Sequence, residues 1–393
     1  MRHFDAAERR ARIGLRHHLS PAARAVDVAG AAADLVAVHA TDPASVVIGL
    51  GARVGGITPD DIEAALYDDR SVMRMLGMRR TLFVVARDVL PVVQAACTDA
   101  VATRERARLL QMLVDGGIAS KTKAAAWLSD VERLALDALS KLGQATAVEL
   151  GKEVEHLRRQ VRVGIGKKWE TDIGVGTRVL LVLAAEGKIA RGRPRGTWIS
   201  TQHRWATMDS WLGAPIEPLP IEVAQAELAR RWLRAFGPAL AADLKWWAGW
   251  TMAHTKRAVA AVDAVEVDLA GAVGYALPDD LDGTAAPEPW IALVAALDTT
   301  PMGWSERDWF LGPHRSPLFD RNGNIGATVW CDGRIVGGWA QRKSGEIVVR
   351  LLEDIGVDAA AAVEREAARL QDWLGAVRFT PRFPVPLQRE LTA

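Results

Sequence analysis

The sequence predicts a mainly α fold with small β ribbons, in which helix-turn-helix units with a β hairpin follow one another before a β-rich carboxy-terminal portion. Residues 177–200, TRVLLVLAAEGKIARGRPRGTWIS, have the pattern of an apolar helix, a stop at Gly187 and a hairpin whose second strand is Thr197–Ile199. A similar order of helix, turn, helix and two strands recurs from Ala224 to Leu277. This recurrence predicts tandem winged-helix units.

The 393 residues are long enough for several domains, and 49% apolar content is enough for several cores. Shifts in the pattern predict an amino-terminal helical or winged-helix domain at 1–140 and a central winged-helix domain with an arginine-rich wing at 141–218. A third winged-helix domain is predicted at 219–290. The β-rich portion with a final helix is predicted at 291–393.

The first unit is predicted to be helical with one strand. Its elements are predicted as helices over Ala6–Leu15, Pro21–Val38, Ala44–Gly51 after Asp42-Pro43, Asp60–Tyr67 after Thr58, and Asp88–Leu113, with a strand over Met78–Ala86. In the last portion, Cys331 to Arg334 are predicted to form a hairpin turn, Glu346–Leu352 a strand and Ala359–Leu374 a helix.

In the central unit, Thr146 is predicted as the N-cap of the first helix of a helix-turn-helix, and Thr177–Glu186 as its recognition helix. The wing that follows would carry Arg191, Arg193 and Arg195 at a hairpin tip. Guanidinium groups match phosphate geometry, and their binding to a polyanion releases counterions. The wing therefore indicates a nucleic acid as the ligand.

The charge distribution agrees with a nucleic-acid ligand, although the net charge is only +1. Residues 152–204 hold 12 Lys or Arg against 5 Asp or Glu, a difference of +7, whereas residues 263–308 hold one Arg against 10 acidic residues, or −9. Ordinary solvated faces would explain either segment alone. Together they favour one surface that faces a polyanion.

Several function classes are excluded by what the sequence lacks. Its 2 cysteines are too few for a disulfide framework or a Cys-rich zinc site. It has no P-loop, no GxGxxG in a strand-turn-helix setting, no HExxH and no GxSxG, so we expect no metal and no nucleotide cofactor. It also has no apolar run long enough for a membrane span and no signal-like start. We expect a cytoplasmic, nucleoid-associated monomer.

Further basic residues are candidates for phosphate contacts. Lys167, Lys168 and Arg204 lie in the basic central segment, and Trp169 beside the lysines would stack on a base or sugar. The alternative is that Trp169 closes a small core.

Three segments carry a resemblance to a known family. They are RAFGPALAADLKWWAGW at 234–250, ALDTTPMGWSERDWFLG at 296–312 and CDGRIVGGWAQR at 331–342. Each motif is weak alone, but together they resemble the winged-helix DNA-binding family of the AlkZ and YcaQ type bacterial DNA glycosylases. The resemblance covers nearly the whole chain. It implies three winged helices around a positive duplex-binding surface, and excision of bulky alkylated purines, including interstrand crosslinks.

The resemblance implies a catalytic place at His39 and Thr41. Family members have Gln-x-Gln or Gln-x-Asp there, and those two side chains hold the water that attacks the anomeric carbon. In this chain His39 would act as general base, since imidazole titrates near neutral pH, and Thr41 would hold the water. The alternative is that His39 packs at a helix end and Thr41 is an N-cap, in a protein that binds DNA without excising bases.

A second departure from the family lies in its strand motif R-x-T-L-H, which here is Arg79-Arg80-Thr81-Leu82-Phe83. Phe83 lacks the histidine's polar atoms, whereas Arg79 and Arg80 would still hold phosphates near the site. An ordinary strand with a solvent-facing arginine pair is the alternative.

Three functions therefore remain open. The first is a monofunctional glycosylase for bulky alkylated purines with His-x-Thr at its catalytic place. The second is a non-catalytic DNA-binding protein, either a damage sensor or a transcriptional regulator. The third is a small-molecule enzyme or binding protein on a winged-helix scaffold.

Overall fold

The computed structural model describes residues 1–168 and 170–393. In it the chain folds into helices and small antiparallel sheets. The predicted combination of helices with small β ribbons is therefore confirmed at this level. The division at residues 140, 218 and 290 stays a prediction.

The amino-terminal elements build the surroundings of His39. They are α1 (Ala6–Arg16), α2 (Val28–Asp34), β1 (Val38–His39), α3 (Pro43–Gly51), α4 (Pro59–Tyr67), β2 (Val72–Leu76), β3 (Leu82–Ala86), α5 (Leu90–Val93) and α6 (Asp99–Asp115). The three strands form one antiparallel sheet in the order β1-β3-β2. Asp42 caps α3 with Pro43 at its first position, and Thr58 caps α4 through a capping box with Asp61.

Three predictions in this region are wrong in detail. The helix predicted over Pro21–Val38 is a short 3-10 turn followed by α2, and the chain is extended at Val38 and His39. The strand predicted over Met78–Ala86 begins only at Leu82, because Arg79 and Arg80 adopt left-handed conformations, with φ of 52° and 63°, that cannot continue a strand. The helix predicted from Asp88 is interrupted by a π turn at Gln94–Thr98.

The central elements follow α6. They are α7 (Ala124–Leu142), β4 (Ala145–Thr146), α8 (Ala147–Glu153), β5 (Gln160–Val163), β6 (Thr171–Gly174), α9 (Val175–Ala185), β7 (Ile189–Pro194), β8 (His203–Thr207) and α10 (Met208–Leu212). One sheet has the order β4-β8-β7, and β5 pairs with β6. Thr146 is the predicted N-cap of α8, in a capping box with Glu149. The return strand is β8 rather than Thr197–Ile199, because Trp198 is buried in the loop.

The remaining elements are mostly helical before residue 262 and mostly strands after it. They are α11 (Ile221–Phe236), α12 (Ala241–Ala248), α13 (Met252–Ala261), β9 (Val265–Leu269), β10 (Ala272–Ala276), β11 (Ile291–Val294), α14 (Asp308–Leu311), α15 (Arg315–Leu318), β12 (Thr328–Cys331), β13 (Arg334–Gln341), β14 (Ile347–Leu351), α16 (Val357–Leu374) and α17 (Pro386–Thr392). Strands β11 to β14 form one antiparallel sheet in chain order. The hairpin turn predicted at residues 331–334 is confirmed, with Asp332 and Gly333 both at positive φ.

Two apolar cores dominate the interior. The larger one joins the amino-terminal elements to α11–α13 and to the carboxy-terminal sheet, and it contains most of the fully buried tryptophans. The smaller one lies between the second half of α6, α7, α8 and α9, and includes Leu109, Leu128 and Leu183. The β7–β8 hairpin contributes to both cores, with Ile189 in the smaller and Ala190 in the larger. The hairpin therefore joins the central unit to the His39 region.

A buried ion pair connects the amino-terminal and carboxy-terminal parts. Arg53, just beyond α3, donates to both carboxylate oxygens of Asp298 at 2.8 and 2.6 Å, and also to Thr300 Oγ1 at 2.8 Å. The Arg53 and Asp298 side chains are 0% and 1% exposed. His17 Nδ1 lies 2.8 Å from the same hydroxyl, and His17 Nε2 lies 3.1 Å from Ala235 O. A buried charge is tolerated here because each group is paired.

We expect removal of one charge from this pair to be strongly destabilising. Asp298→Asn leaves the Arg53 guanidinium buried without a countercharge, a loss of about 3–5 kcal/mol in the free energy of unfolding. Chemical denaturation followed by circular dichroism measures it. The double variant Arg53→Met, Asp298→Leu should recover part of the loss, because neither charge is then buried alone. An Asp298→Asn protein about as stable as the wild type would contradict this reading of the pair.

Candidate active site and DNA interface

The two positions at which the sequence departs from the family pattern face each other in the amino-terminal sheet. His39 on β1 and Phe83 on β3 are Cα partners in the strand register. Their rings pack edge to face, with centroids 5.1 Å apart. Phe83 thus forms an apolar wall beside the imidazole, and the two departures belong to one site.

The backbone around His39 is fixed by three hydrogen bonds. His39 N–H donates to Thr299 Oγ1 at 2.8 Å, and the Thr299 hydroxyl donates to Ala37 O at 3.2 Å. Ala40 N–H donates to Leu82 O at 2.7 Å, which extends the pairing with β3 by one residue. Strand β1 ends at His39, and Thr41 lies two residues further along the chain, in the bend that leads into α3.

Both candidate catalytic side chains have a buried polar atom without a partner. His39 Nδ1 and Thr41 Oγ1 are inaccessible to solvent, and neither makes a hydrogen bond within the described residues. The N-cap role considered for Thr41 is wrong, since Asp42 caps α3 by accepting from Ala44 N–H at 3.1 Å, and His39 packs on a strand rather than at a helix end. Unsatisfied buried polar atoms are rare in native proteins, and these two, only two residues apart in the chain, are available to hydrogen-bond a water.

The electrostatic surroundings keep His39 neutral. Burial, with the positive charges of Arg79 and Arg74, lowers the pKa of His39 from 6.5 to about 3. The expectation that its imidazole titrates near neutral pH is therefore wrong, since desolvation and two guanidiniums both oppose protonation. A neutral imidazole still orients water by hydrogen bonding, which requires no proton uptake.

Arg79 and Arg80 occupy the left-handed turn between β2 and β3. The Arg79 guanidinium lies 3.9 Å from the centroid of the Trp246 ring, and burial lowers its pKa to about 10. Arg80 is exposed and donates to Glu105 at 2.7 Å. Two successive non-glycine residues at positive φ indicate a backbone that its surroundings hold in a strained conformation, as happens at functional sites.

The arginines of the predicted wing are not grouped at a hairpin tip. Arg191 and Arg193 lie within β7, and Arg191 stacks on Trp205 with 4.6 Å to the ring centroid. Arg193 reaches α4, where it is 2.7 Å from Asp68 and 3.5 Å from Glu63. Arg195 pairs with Glu149 of α8. Strand pairing and these carboxylates direct the three side chains to different places.

The other predicted DNA contacts are exposed. Arg204 projects from β8, and Lys167 and Lys168 lie in the turn between β5 and β6. Trp169, predicted to stack on DNA, lies outside the described residues.

The structure adds basic residues that sequence reasoning missed. Arg178 of α9, Arg108 of α6 and Arg80 line one surface pocket of about 320 Å³, so the left-handed turn and the predicted recognition helix share a basic surface. Arg74 is buried near His39 and contacts the partly buried His203, and neither residue is part of a recognisable motif. Of these residues, only Arg178 could have been identified from the sequence as a candidate DNA contact, because it lies early in the predicted recognition helix.

No group of three or more His, Cys, Asp or Glu side chains suited to a metal occurs among residues 1–168 and 170–393. Over the same residues, no helix is both long and apolar enough to cross a membrane.

Comparisons with known proteins give a family and a fold. The family model of AlkZ-like DNA glycosylases matches residues 32–373. The fold is similar to that of the Streptomyces sahachiroi DNA glycosylase AlkZ, with a TM-score of 0.69 and 21% sequence identity over 94% of this chain and 97% of that one. A search of curated proteins finds no match. Because the family model spans most of the chain, including the His39 segment, this protein belongs to the AlkZ-like DNA glycosylase family.

Proposed function

We propose that the protein is a monofunctional DNA glycosylase that excises bulky alkylated purines, crosslinked ones included, from duplex DNA. The observation that carries the proposal is the pair of buried, unpartnered atoms His39 Nδ1 and Thr41 Oγ1 in a chain of this family. The water that they hold would attack C1′ of the sugar. A C1′–O bond forms as the N-glycosidic bond breaks, the N7-alkylated purine leaves with the bonding electrons, which neutralise its positive charge, and the attacking water gives up its proton to bulk solvent.

The neutral state of His39 determines which role we assign to it. With a pKa of about 3, its imidazole is a weak base at neutral pH. We therefore assign His39 the role of orienting the water, with Thr41 as the second hydrogen-bonding group. Bulky alkylation at purine N7 leaves a base that departs readily, so orientation of the water contributes more than proton abstraction.

We further propose that duplex DNA lies along the exposed basic residues of the central unit. Elements α7, β4, α8, α9, β7 and β8, with the sheet order β4-β8-β7, support a winged helix there, in which the β5–β6 hairpin is inserted between α8 and α9. Arg204 and Lys168 are solvent-exposed on this unit, and Arg178 lies on α9 beside Arg80. Arg193 has carboxylate partners within the protein, so we infer that it stabilises the hairpin against α4 rather than binding phosphate.

The first test of this function is excision from an alkylated duplex. Wild-type protein incubated with DNA that contains a bulky N7-alkylguanine should release the modified base and leave abasic sites, detected as alkali-labile breaks. The double variant His39→Ala, Thr41→Ala should lose about 100-fold or more in the single-turnover rate while it still binds the duplex. His39→Gln is the matched control and should retain most of the rate, because its amide can also orient water.

Failure of the wild type to produce abasic sites while binding DNA would instead support the non-catalytic DNA-binding protein. An unchanged rate in the double variant would overturn the assignment of His39 and Thr41.

The pH dependence of excision tests the neutral imidazole. Since the pKa of His39 is lowered to about 3, the side chain stays neutral from about pH 8 down to about pH 5, and the single-turnover rate should not fall through this range. His39→Gln should give a profile of the same shape. A tenfold loss per pH unit below about pH 6.5 that disappears in His39→Gln would show that His39 titrates normally.

The salt dependence of duplex binding separates phosphate contacts from internal ion pairs. Arg204→Ala should reduce the slope of log K against log salt concentration by about 0.9, the value for one phosphate contact on B-form DNA. Arg193→Ala should leave this slope unchanged and lower the free energy of unfolding by up to about 1 kcal/mol, because it loses the partly exposed pairs with Asp68 and Glu63. Fluorescence anisotropy over a salt series measures the slopes, and the opposite pattern in the two variants would contradict the assignment.

A further inference from the structure

Arg74 makes a direct connection between the candidate catalytic segment and the β7–β8 hairpin. It lies on β2, its residue is 7% exposed, and one terminal nitrogen donates to the carbonyl of Ala40. The other terminal nitrogen lies 2.8 Å from His203 Nε2, on the first residue of β8. Ala40 stands between His39 and Thr41, so this guanidinium holds the peptide that joins the two candidate catalytic residues.

The partners of Arg74 are unusual for a buried guanidinium. Its hydrogen bonds go to a carbonyl and an imidazole, and within the described residues it forms no ion pair with a carboxylate. Its Nε has no hydrogen-bond partner. The Asp42 carboxylate attracts this charge but forms no hydrogen bond with it, and a buried cation whose hydrogen bonds all go to neutral acceptors is costly to folding, which argues for a role other than stability.

The direction of the hydrogen bond with His203 follows from chemistry. A guanidinium has no acceptor atom, so Arg74 donates and His203 Nε2 must be unprotonated. Burial and the charges of Arg74 and Arg191 lower the pKa of His203 to about 3, which keeps this nitrogen an acceptor at neutral pH. The chain of contacts therefore runs from β8 through His203 and Arg74 to the Ala40 carbonyl.

We propose that Arg74 and His203 are positioning residues for excision, through which the docked β7–β8 hairpin sets the orientation of the peptide between His39 and Thr41. Neither side chain needs to touch the DNA for this role. A rotation of the Ala40 carbonyl would turn the adjacent side chains away from a shared water, and small displacements of catalytic groups cost large factors in rate. The inference rests on the proposed glycosylase function. The effect of His203, through Arg74, on the orientation of the His39 side chain can be measured independently of that function.

The hairpin side of this connection can be tested with two substitutions at His203. In His203→Gln, the side-chain amide oxygen can take the place of Nε2 as acceptor for Arg74. In His203→Leu, the acceptor is lost while the side chain remains bulky and apolar. We expect His203→Leu to lower the single-turnover excision rate by about tenfold or more with little change in duplex affinity, and His203→Gln to restore most of the rate.

Arg70 provides the matched control, because it also joins the amino-terminal and central units. Its guanidinium donates to the carbonyls of Ser210 and Trp211 at 3.0 and 2.9 Å and does not contact the His39 segment. Arg70→Leu should therefore destabilise the same interface without lowering the excision rate of the folded protein. Thermal unfolding of each variant separates a loss of rate from a loss of folded protein.

A spectroscopic measurement keeps the inference separate from the proposed function. The chain has 8 histidines, so ¹⁵N labelling of histidine gives a small set of imidazole signals, with that of His39 assigned through His39→Gln. His203→Leu should shift the His39 signal, whereas His203→Gln and Arg70→Leu should leave it near its wild-type position. If the wild type lacks excision activity but these shifts occur, the proposed function fails and the positioning role stands.

Two results would overturn the inference. One is a His203→Leu protein with the wild-type excision rate and an unshifted His39 signal. The other is a His203→Gln protein, folded by its thermal transition, that is as impaired as His203→Leu, since the acceptor at this position would then not matter.

Discussion

The buried ion pair between Arg53 and Asp298 is the constraint on which the candidate site depends. It joins the end of α3 to a turn almost 250 residues later, and that turn also contains Thr299 and Thr300. Thr299 fixes the backbone of His39, and Thr300 connects Arg53 to His17 at the carboxy-terminal end of α1. The pair is buried, so separating the two groups would leave each charge unpaired in a low-dielectric interior, at a high cost in free energy. The pair therefore holds the elements around His39 together.

This arrangement explains how a small strand can support a reactive geometry. Strand β1 contains only Val38 and His39 and has a single neighbour, β3. Such a strand has little stability of its own. Its position is fixed by Thr299 on one side, by Leu82 through Ala40 N–H, and by Arg74 through the Ala40 carbonyl. Rigid support of this kind leaves the unsatisfied atoms of His39 and Thr41 for a ligand rather than for the fold.

The positive charge of the protein is divided between two kinds of environment. Arg74 and Arg79 are largely buried near His39, where they lower its pKa and keep it neutral. Exposed residues such as Arg204 and Lys168 face solvent, where charge is inexpensive and phosphates can be reached. Arg193 and Arg195 belong to neither group, since they pair with Asp68 and Glu149 within the protein. A count of arginines along the chain therefore says little about which of them meet DNA.

The sequence by itself determined the local elements and the family. Caps such as Thr58 and Thr146 and the residue 331–334 turn are local patterns, and short-range hydrogen bonding and backbone sterics decide them. Only the tertiary structure decided that His39 lies on a strand against Phe83, that the wing arginines separate, and that Arg74 and His203 meet at Ala40. These contacts join residues between 34 and 129 positions apart, and such pairings depend on how whole elements pack.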